Sequence, residues 1–334
     1  MMTKQMPRTM ILQPIRDCGA AALLLSAALV AQPACAEPTS PQEWLNRMSS
    51  AVENASYEGT VVRVRGDATE ALKVARVVSD GVVREKVIAQ EGSGLEIIRN
   101  GNEVHCILPE RESVLVEEWN DQSTLFSSLP SSGVRFGNEY DVAIVREERI
   151  AGRKSVLLAI RPHDEYRYGH RIWLDKETGF PLQTKLVDEQ GSAIAQVKFA
   201  DISLDHEIHA DALAPSYNID TFTWLTEPRR ARKQAVESEW RASEVPAGFK
   251  AVSVHAEKMP GNDNLVTHIL FSDGMAMVSV FVASHAGANI EGKSKMGSTN
   301  SYSVSTDEHV VTAVGEVPAV TVEAIARAMR RHEP

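Results

Sequence analysis

The chain has 334 residues, 43% hydrophobic, 24% charged and 6% aromatic, with 35 basic against 45 acidic side chains and a formal net charge of -10. This composition excludes a disordered chain, which would lack apolar residues, and a collagen-like repeat, because the 20 Gly and 15 Pro follow no period. The acidic balance argues against a nucleic-acid binder, which needs a basic face for phosphates, and the length favours two domains at about 150 residues each.

The chain opens with Lys4, Arg8 and Arg16, followed by an apolar run over 19–31 and by Ala34-Cys35-Ala36 ahead of Glu37. That is the pattern of a secretory signal peptide: the run is too short to span a bilayer at about 20 residues, and Ala34 and Ala36 suit a signal peptidase. Cleavage after Ala36 is expected to release a soluble protein into an extracytoplasmic space, with no membrane span, 32 basic and 44 acidic side chains, and a charge of -12. A lipidated Cys35 is the rival reading, against which stands Gln32, where a lipidated Cys usually has Leu three places earlier. Cys18 and Cys35 depart with the signal. Cys106, in the apolar run Val104-His105-Cys106-Ile107-Leu108, then has no partner for a disulfide and reads as a small buried hydrophobe.

Ser40-Pro41-Gln42-Glu43 predicts a helix start with a capping residue, Pro in the first turn and Glu three places on. Trp44, Leu45, Met48, Val52 and Ala55 follow at helical spacing, so one face is apolar and must lie on something apolar. From Tyr57 the pattern changes to short Val, Ile and Leu runs broken by turn pairs such as Asn100-Gly101 and Thr178-Gly179. The runs predict strands at 57–65, 69–78, 82–89, 95–99, 103–108, 113–117, 155–161, 170–174, 182–187 and 193–202, an antiparallel meander. A short helix over 121–129 is expected to show Leu125, Phe126 and Leu129. A large curved sheet with helices on one face lets both bury an apolar side.

The strand pattern stops near Thr226, and Arg229, Arg230, Arg232 and Lys233 stand in an expected linker over 226–239. A short basic run of this kind is usually solvated, with an anionic-ligand patch as the alternative. A second domain over 240–334 is expected from strands at 249–256, 265–272, 275–283, 300–306 and 309–315 and a helix over 321–330. The Gly, Ser and Lys-rich stretch 284–298 reads as a loop.

No CxxC, GxSxG, P-loop or GxGxxG is present, so the commonest signatures of catalysis and nucleotide binding are missing. His206-Glu207-Ile208-His209 has two residues between its histidines rather than the three that place both on one helix face, and is a weak metal candidate. The polar run 163–171, from His163 to Arg171, holds residue types suited to acid-base work, yet it lies between two strands and reads as hairpin decoration. Met259, Met275 and Met277 near Phe271 and Phe281 read equally as an adaptable surface or as core filling.

Taken together, the residues resemble the RseB/MucB family of periplasmic regulators of the sigma-E envelope-stress response. In the first domain the resemblance rests on Trp44-Leu45 with Met48, Tyr57 with Gly59, Arg99-Asn100-Gly101-Asn102, Tyr168 with Arg171, Trp173-Leu174-Asp175 and Thr178-Gly179-Phe180-Pro181-Leu182. In the second it rests on Trp240, Val245-Pro246-Ala247-Gly248-Phe249, Phe271-Ser272-Asp273-Gly274 and Val314-Gly315-Glu316-Val317-Pro318. None is diagnostic alone; their order across two domains behind a signal peptide is specific.

The resemblance implies an α+β protein whose first domain, over 37–225, is a half-open antiparallel β-barrel like that of the lipoprotein carrier LolA, with helices in its concave face. The smaller second domain is an antiparallel sheet with a terminal helix. It implies a non-enzymatic protein without cofactor, catalytic residue or metal. Such a protein binds the periplasmic part of a membrane-bound anti-sigma factor, shields it from proteolysis and loosens its grip when lipopolysaccharide or lipoprotein acyl chains bind; a homodimer is also compatible with it. Acyl chains are then expected between the sheet and the helix bearing Trp44, Leu45, Met48 and Val52. Arg229, Arg230, Arg232 and Lys233 are expected near an acidic peptide or anionic headgroups. A lipid or lipoprotein carrier is the competing class, and an exported hydrolase is disfavoured by the missing nucleophile motifs.

Overall fold

The computed structural model describes residues 38, 40–118, 125, 126, 129, 130, 137–204, 207–226, 234, 235, 238–258, 265–284, 290–306 and 308–332. The first element among the described residues is α1 (Pro41–Asn54), closed as the sequence predicts: the Ser40 hydroxyl accepts from the Glu43 amide and the Glu43 carboxylate accepts from the Ser40 amide, both at 3.2 Å.

Eleven antiparallel strands follow: β1 (Tyr57–Arg65), β2 (Ala68–Ser79), β3 (Val82–Ala89), β4 (Glu96–Asn100), β5 (Glu103–Leu108), β6 (Ser113–Glu118), β7 (Tyr140–Ile150), β8 (Arg153–Pro162), β9 (Gly169–Asp175), β10 (Pro181–Val187) and β11 (Ala193–Leu204). β12 (Thr223–Thr226) adds parallel to β6. Among the described residues these form one sheet in the order β12-β6-β5-β4-β3-β2-β1-β11-β10-β9-β8-β7. The meander is closed in the middle, where β1 pairs with β11, and its ends β12 and β7 do not pair with each other. That is the half-open barrel.

The apolar stripe of α1 lies on this sheet. Trp44, Leu45, Met48 and Val52 share one core with Tyr57 and Val61 of β1, Leu72 and Val74 of β2 and Phe199 of β11. The rings of Phe180 and Phe199 stand 4.8 Å and 5.7 Å from that of Tyr57. Burying each large α1 side chain contributes roughly 1.5–3 kcal/mol. The far end of the helix is fixed by a buried cation. Arg76 of β2 donates to the carbonyls of Val52 and Glu53 at 3.1 Å and 3.3 Å, where the helix dipole favours positive charge, and stands 3.8 Å from buried Glu85 of β3. Tyr57 donates to the same Glu85, and burial followed by the Glu85 charge raises its phenol well above the ordinary tyrosine range.

The second domain contains β13 (Gln234–Ala235), β14 (Trp240–Ala242), β15 (Lys250–Lys258), β16 (Leu265–Ser272), β17 (Met277–Ser284), β18 (Glu291–Met296), β19 (Thr299–Thr306), β20 (His309–Gly315), α2 (Ala319–Ala328) and β21 (Met329–Arg331). Its antiparallel sheet runs β13-β15-β16-β17-β20-β19-β18, and β14 pairs with β21. Val278, Val280 and Val282 of β17 and Val311 and Ala313 of β20 meet Val322, Ile325 and Ala326 of α2 in a separate core.

Several local expectations change, among them the helix expected over 321–330, whose last residues pair as β21. β7 was not foreseen because its central residues, Arg146-Glu147-Glu148-Arg149, are charged, which suits an edge strand that must not recruit another chain. β12 is equally an exposed edge. β18 falls inside the stretch 284–298 read as a loop: every residue of it is exposed, so no apolar alternation marks it, and its strand form comes from pairing with β19. Of the expected helix over 121–129, the described residues Leu125, Phe126 and Leu129 are not helical; Leu125 and Phe126 belong to the core and Leu129 packs against it. β13 lies within the stretch 226–239.

Candidate functional site

The turn between β8 and β9 is one place where the two domains meet. Three successive residues each reach a different part of the second domain. The Tyr166 carbonyl accepts from the Thr321 hydroxyl at 2.7 Å, and the Tyr168 hydroxyl accepts from the Asn300 amide at 3.0 Å. Between them the Arg167 side chain is fully buried; it donates to Asp273 at 2.6 Å, to Asp164 and to the carbonyl of Ala247. Its guanidinium lies 5.4 Å from the Tyr140 ring and 5.1 Å from the Phe249 ring, one aromatic from each domain. Burial works against its charge, but the bond to Asp273 and the charges of Asp164 and Asp273 hold its pKa above the ordinary value.

Asp273 is the matching hub on the second domain. One carboxylate oxygen accepts from Arg167 and, at 2.8 Å, from the Tyr140 hydroxyl; the other accepts from the amides of Met275 and Ala276 at 2.9 Å and 2.7 Å. These amide bonds set the turn that sends Met275 into the core of the first domain. Burial, then the Asp273 charge, pushes the Tyr140 phenol far up. His170 stands at the start of β9; desolvation pulls its imidazole down to about 4 against the pull of Asp273, so it is neutral at pH 7.

Beside this joint is a cavity of ≈ 110 Å³. It lies over β1, β10 and β11, against Leu125, Leu129 and Val197 of the first-domain core, and its polar wall includes Arg63, His170 and, from the second domain, Glu316.

The hairpin after β9 explains one of the sequence motifs. Buried Asp175 accepts from Arg153 at 2.9 Å and 3.0 Å and from the Thr178 amide and hydroxyl at 3.0 Å and 2.9 Å. Gly179 has φ +80°, and a Cβ there would stand 2.6 Å from Cγ of Arg47 on α1. Only glycine lets this hairpin close onto the helix and deliver Phe180 to the core.

The structure thus brings together Trp44, Leu45, Met48 and Val52 on one face, and packs that face shut: they are 1%, 5%, 0% and 9% exposed. Arg229, Arg230, Arg232 and Lys233 lie outside the described residues, as do His206 and Met259. Among the described residues no group of His, Cys, Asp and Glu is placed to hold a metal ion, and no helix is long and apolar enough to cross a membrane. Of the other methionines, Met275 is buried and Met277 half exposed at 50%. Cys106 is half-buried, and burial followed by Glu117 raises its thiol to about 11.

The reading of 163–171 as hairpin decoration is overturned for its central residues. His163 is exposed and bound to Asp141, but Arg167 is buried because its partners come from the other domain, 80 and 106 positions away. The signal available in sequence was the clustering of charge and Tyr in a short inter-strand turn.

Comparison with known proteins covers both domains in turn. The model of the MucB/RseB N-terminal domain matches residues 40–217 and that of the MucB/RseB C-terminal domain residues 234–330. The chain belongs to the MucB/RseB family. Within it, the sigma factor AlgU regulatory protein MucB of Pseudomonas aeruginosa is 30% identical over 314 residues, covering 92% of this chain and 96% of MucB. The solved complex of Pseudomonas aeruginosa MucA and MucB aligns with a TM-score of 0.68 at 28% identity, over 88% of this chain and 99% of the solved one. A crystal structure of MucB aligns with a TM-score of 0.54 at 25% identity, over 87% of this chain and 98% of the solved one.

Proposed function

We propose that this protein is a periplasmic negative regulator of a sigma-E-type envelope-stress response. It binds the periplasmic part of an anti-sigma factor, protects it from proteolysis and is released by a lipidic signal. The observation that carries the reading is the match of both domains to MucB, a relative named for sigma-factor regulation and solved in complex with MucA. Nothing in the function calls for catalysis, cofactor or nucleic acid.

The physics is linkage. A lipid that binds the free protein better than the complex weakens the complex by the same factor that the partner weakens lipid binding. The face of α1 bearing Trp44, Leu45, Met48 and Val52 is the acyl-chain surface in this reading. Because it is packed shut, lipid entry must shift α1 from the sheet, and that cost makes the signal selective for long chains with enough apolar surface to offset it. The basic residues Arg229, Arg230, Arg232 and Lys233 meet an acidic segment of the partner or anionic headgroups.

Calorimetry of the mature protein with the periplasmic segment of its anti-sigma factor, with and without lipopolysaccharide, tests this. Tight binding weakened by lipid is expected. Lipid binding without affinity for the segment would favour a lipid carrier instead. Reversing the four basic charges with no change in either affinity would remove them from the binding surface.

A further inference from the structure

The two domains have separate cores, and apart from Met275, which enters the first-domain core, they are held by a short list of directional contacts. Tyr166, Arg167 and Tyr168 reach Thr321, Asp273 with Ala247, and Asn300, and Tyr140 adds a bond to Asp273. An interface of this kind differs from an apolar core. Opening it returns Arg167 and Asp273 to water, and the hydration regained offsets part of the lost bonding, whereas parting a core gains nothing of the kind.

We propose that the β8–β9 turn is a latch between the domains, and that the affinity for the anti-sigma segment is set by whether the latch is shut. The first clause stands on the geometry alone; the second rests on the function proposed above. Three features place the latch where a signal can reach it. Met275, held in position by Asp273, inserts into the same core that α1 covers, so a shift of that core pulls on Asp273 directly. The cavity beside the joint has first-domain residues and Glu316 as walls, so its filling bears on both domains. The contact at Asp273 also requires the side chains of both Arg167 and Tyr140 at one carboxylate oxygen, so a small displacement removes both bonds together.

The fold offers its own means of holding the domains by another route. The turn after β1 touches the turn after β18: a Cβ on Gly297 would stand 3.7 Å from Cβ of Arg65, close to the ~3.8 Å typical of a disulfide. Arg65→Cys with Gly297→Cys, in a Cys106→Ser background, is therefore a reversible staple across the domains, at the cost of a non-glycine residue at φ +61°.

The experiment is single-molecule energy transfer between dyes on unnatural residues replacing Glu189 in the first domain and Glu308 in the second, both exposed. Binding of the periplasmic anti-sigma segment is measured on the same variants. One narrow distance is expected for the parent. Asp273→Asn is expected to at least double the width and to weaken the segment at least fivefold; oxidation of the staple restores both and reduction undoes the rescue. Tyr140→Phe, which keeps the ion pair, gives a smaller change in the same direction and carries the test if Asp273→Asn fails to fold. An unchanged width in both variants overturns the latch. A broadened distribution with unaltered segment affinity overturns its control of binding. A parent that never binds the segment refutes the proposed function, while the widths still decide the latch.

Discussion

Two buried arginines show how the same chemistry serves opposite ends in this molecule. Arg76 sits inside the first domain, where it ties the end of α1 to β2 and pairs with Glu85, which also accepts from the Tyr57 hydroxyl. Arg167 is as deeply buried, but besides Asp164 in its own turn its partners Asp273 and Ala247 belong to a body with its own core. The first is surrounded by aromatic and aliphatic packing that cannot come apart without unfolding. The second is one of the contacts that must break for the domains to part. Burial alone therefore does not make an ion pair structural; what matters is whether the groups it joins have any other reason to stay together.

The largest expected effect lies on the first side of this comparison. Met48→Asp puts a charge at a position with no exposure and no partner, and costs more than about 4 kcal/mol, enough to unfold the first domain. Loss of the cooperative thermal transition checks it; a folded Met48→Asp protein would mean that the α1 face is looser than its packing indicates. Next, Arg76→Ala and Arg167→Ala should each remove about 3–5 kcal/mol, since each strands buried carboxylates. Their calorimetric traces separate them. Arg76→Ala shifts the melting of the first domain downward, whereas Arg167→Ala splits melting into two transitions because the domains lose their tie. Two identical traces would erase the distinction between the two sites.

A smaller effect belongs to His170. Its pKa of about 4 in the folded chain lies below the ordinary value of about 6.5, so between these values the unfolded chain binds more protons. Stability therefore rises with pH across that window, is lost as pH falls through it, and is flat above it. Urea denaturation at pH 7 and pH 4.5 should show the parent losing about 2 kcal/mol more than His170→Gln. Equal losses would place the acid sensitivity elsewhere. The smallest is kinetic: with its thiol raised to about 11, Cys106 should alkylate on the order of 100-fold more slowly at pH 8 than a free cysteine.

Much of the fold was legible because local chemistry announces it. Ser40 and Glu43 mark the start of α1, the spacing of Trp44, Leu45, Met48 and Val52 marks its buried face, and Thr178-Gly179 marks a hairpin whose glycine is required by Arg47. Edge strands were not legible, because β7 and β18 carry charge and polarity where alternation is normally read. The joint was least legible of all. Arg167 looks like any surface arginine in a turn, and only the return of the chain a hundred residues later buries it against Asp273.

That Tyr140, Arg167 and Asp273 form one unit has a consequence for exchanging parts between members of the family. A second domain transplanted from a distant relative brings its own version of the loops at 246–249 and 272–276, and its fit is decided by a few side chains rather than by broad shape. Chimaeras that move these loops together with the turn at 164–168 should assemble as hybrids, while those that divide the set should yield two sound halves on one string. The boundary to respect in such engineering is therefore not the chain segment that connects the domains but the shared carboxylate that both of them hold.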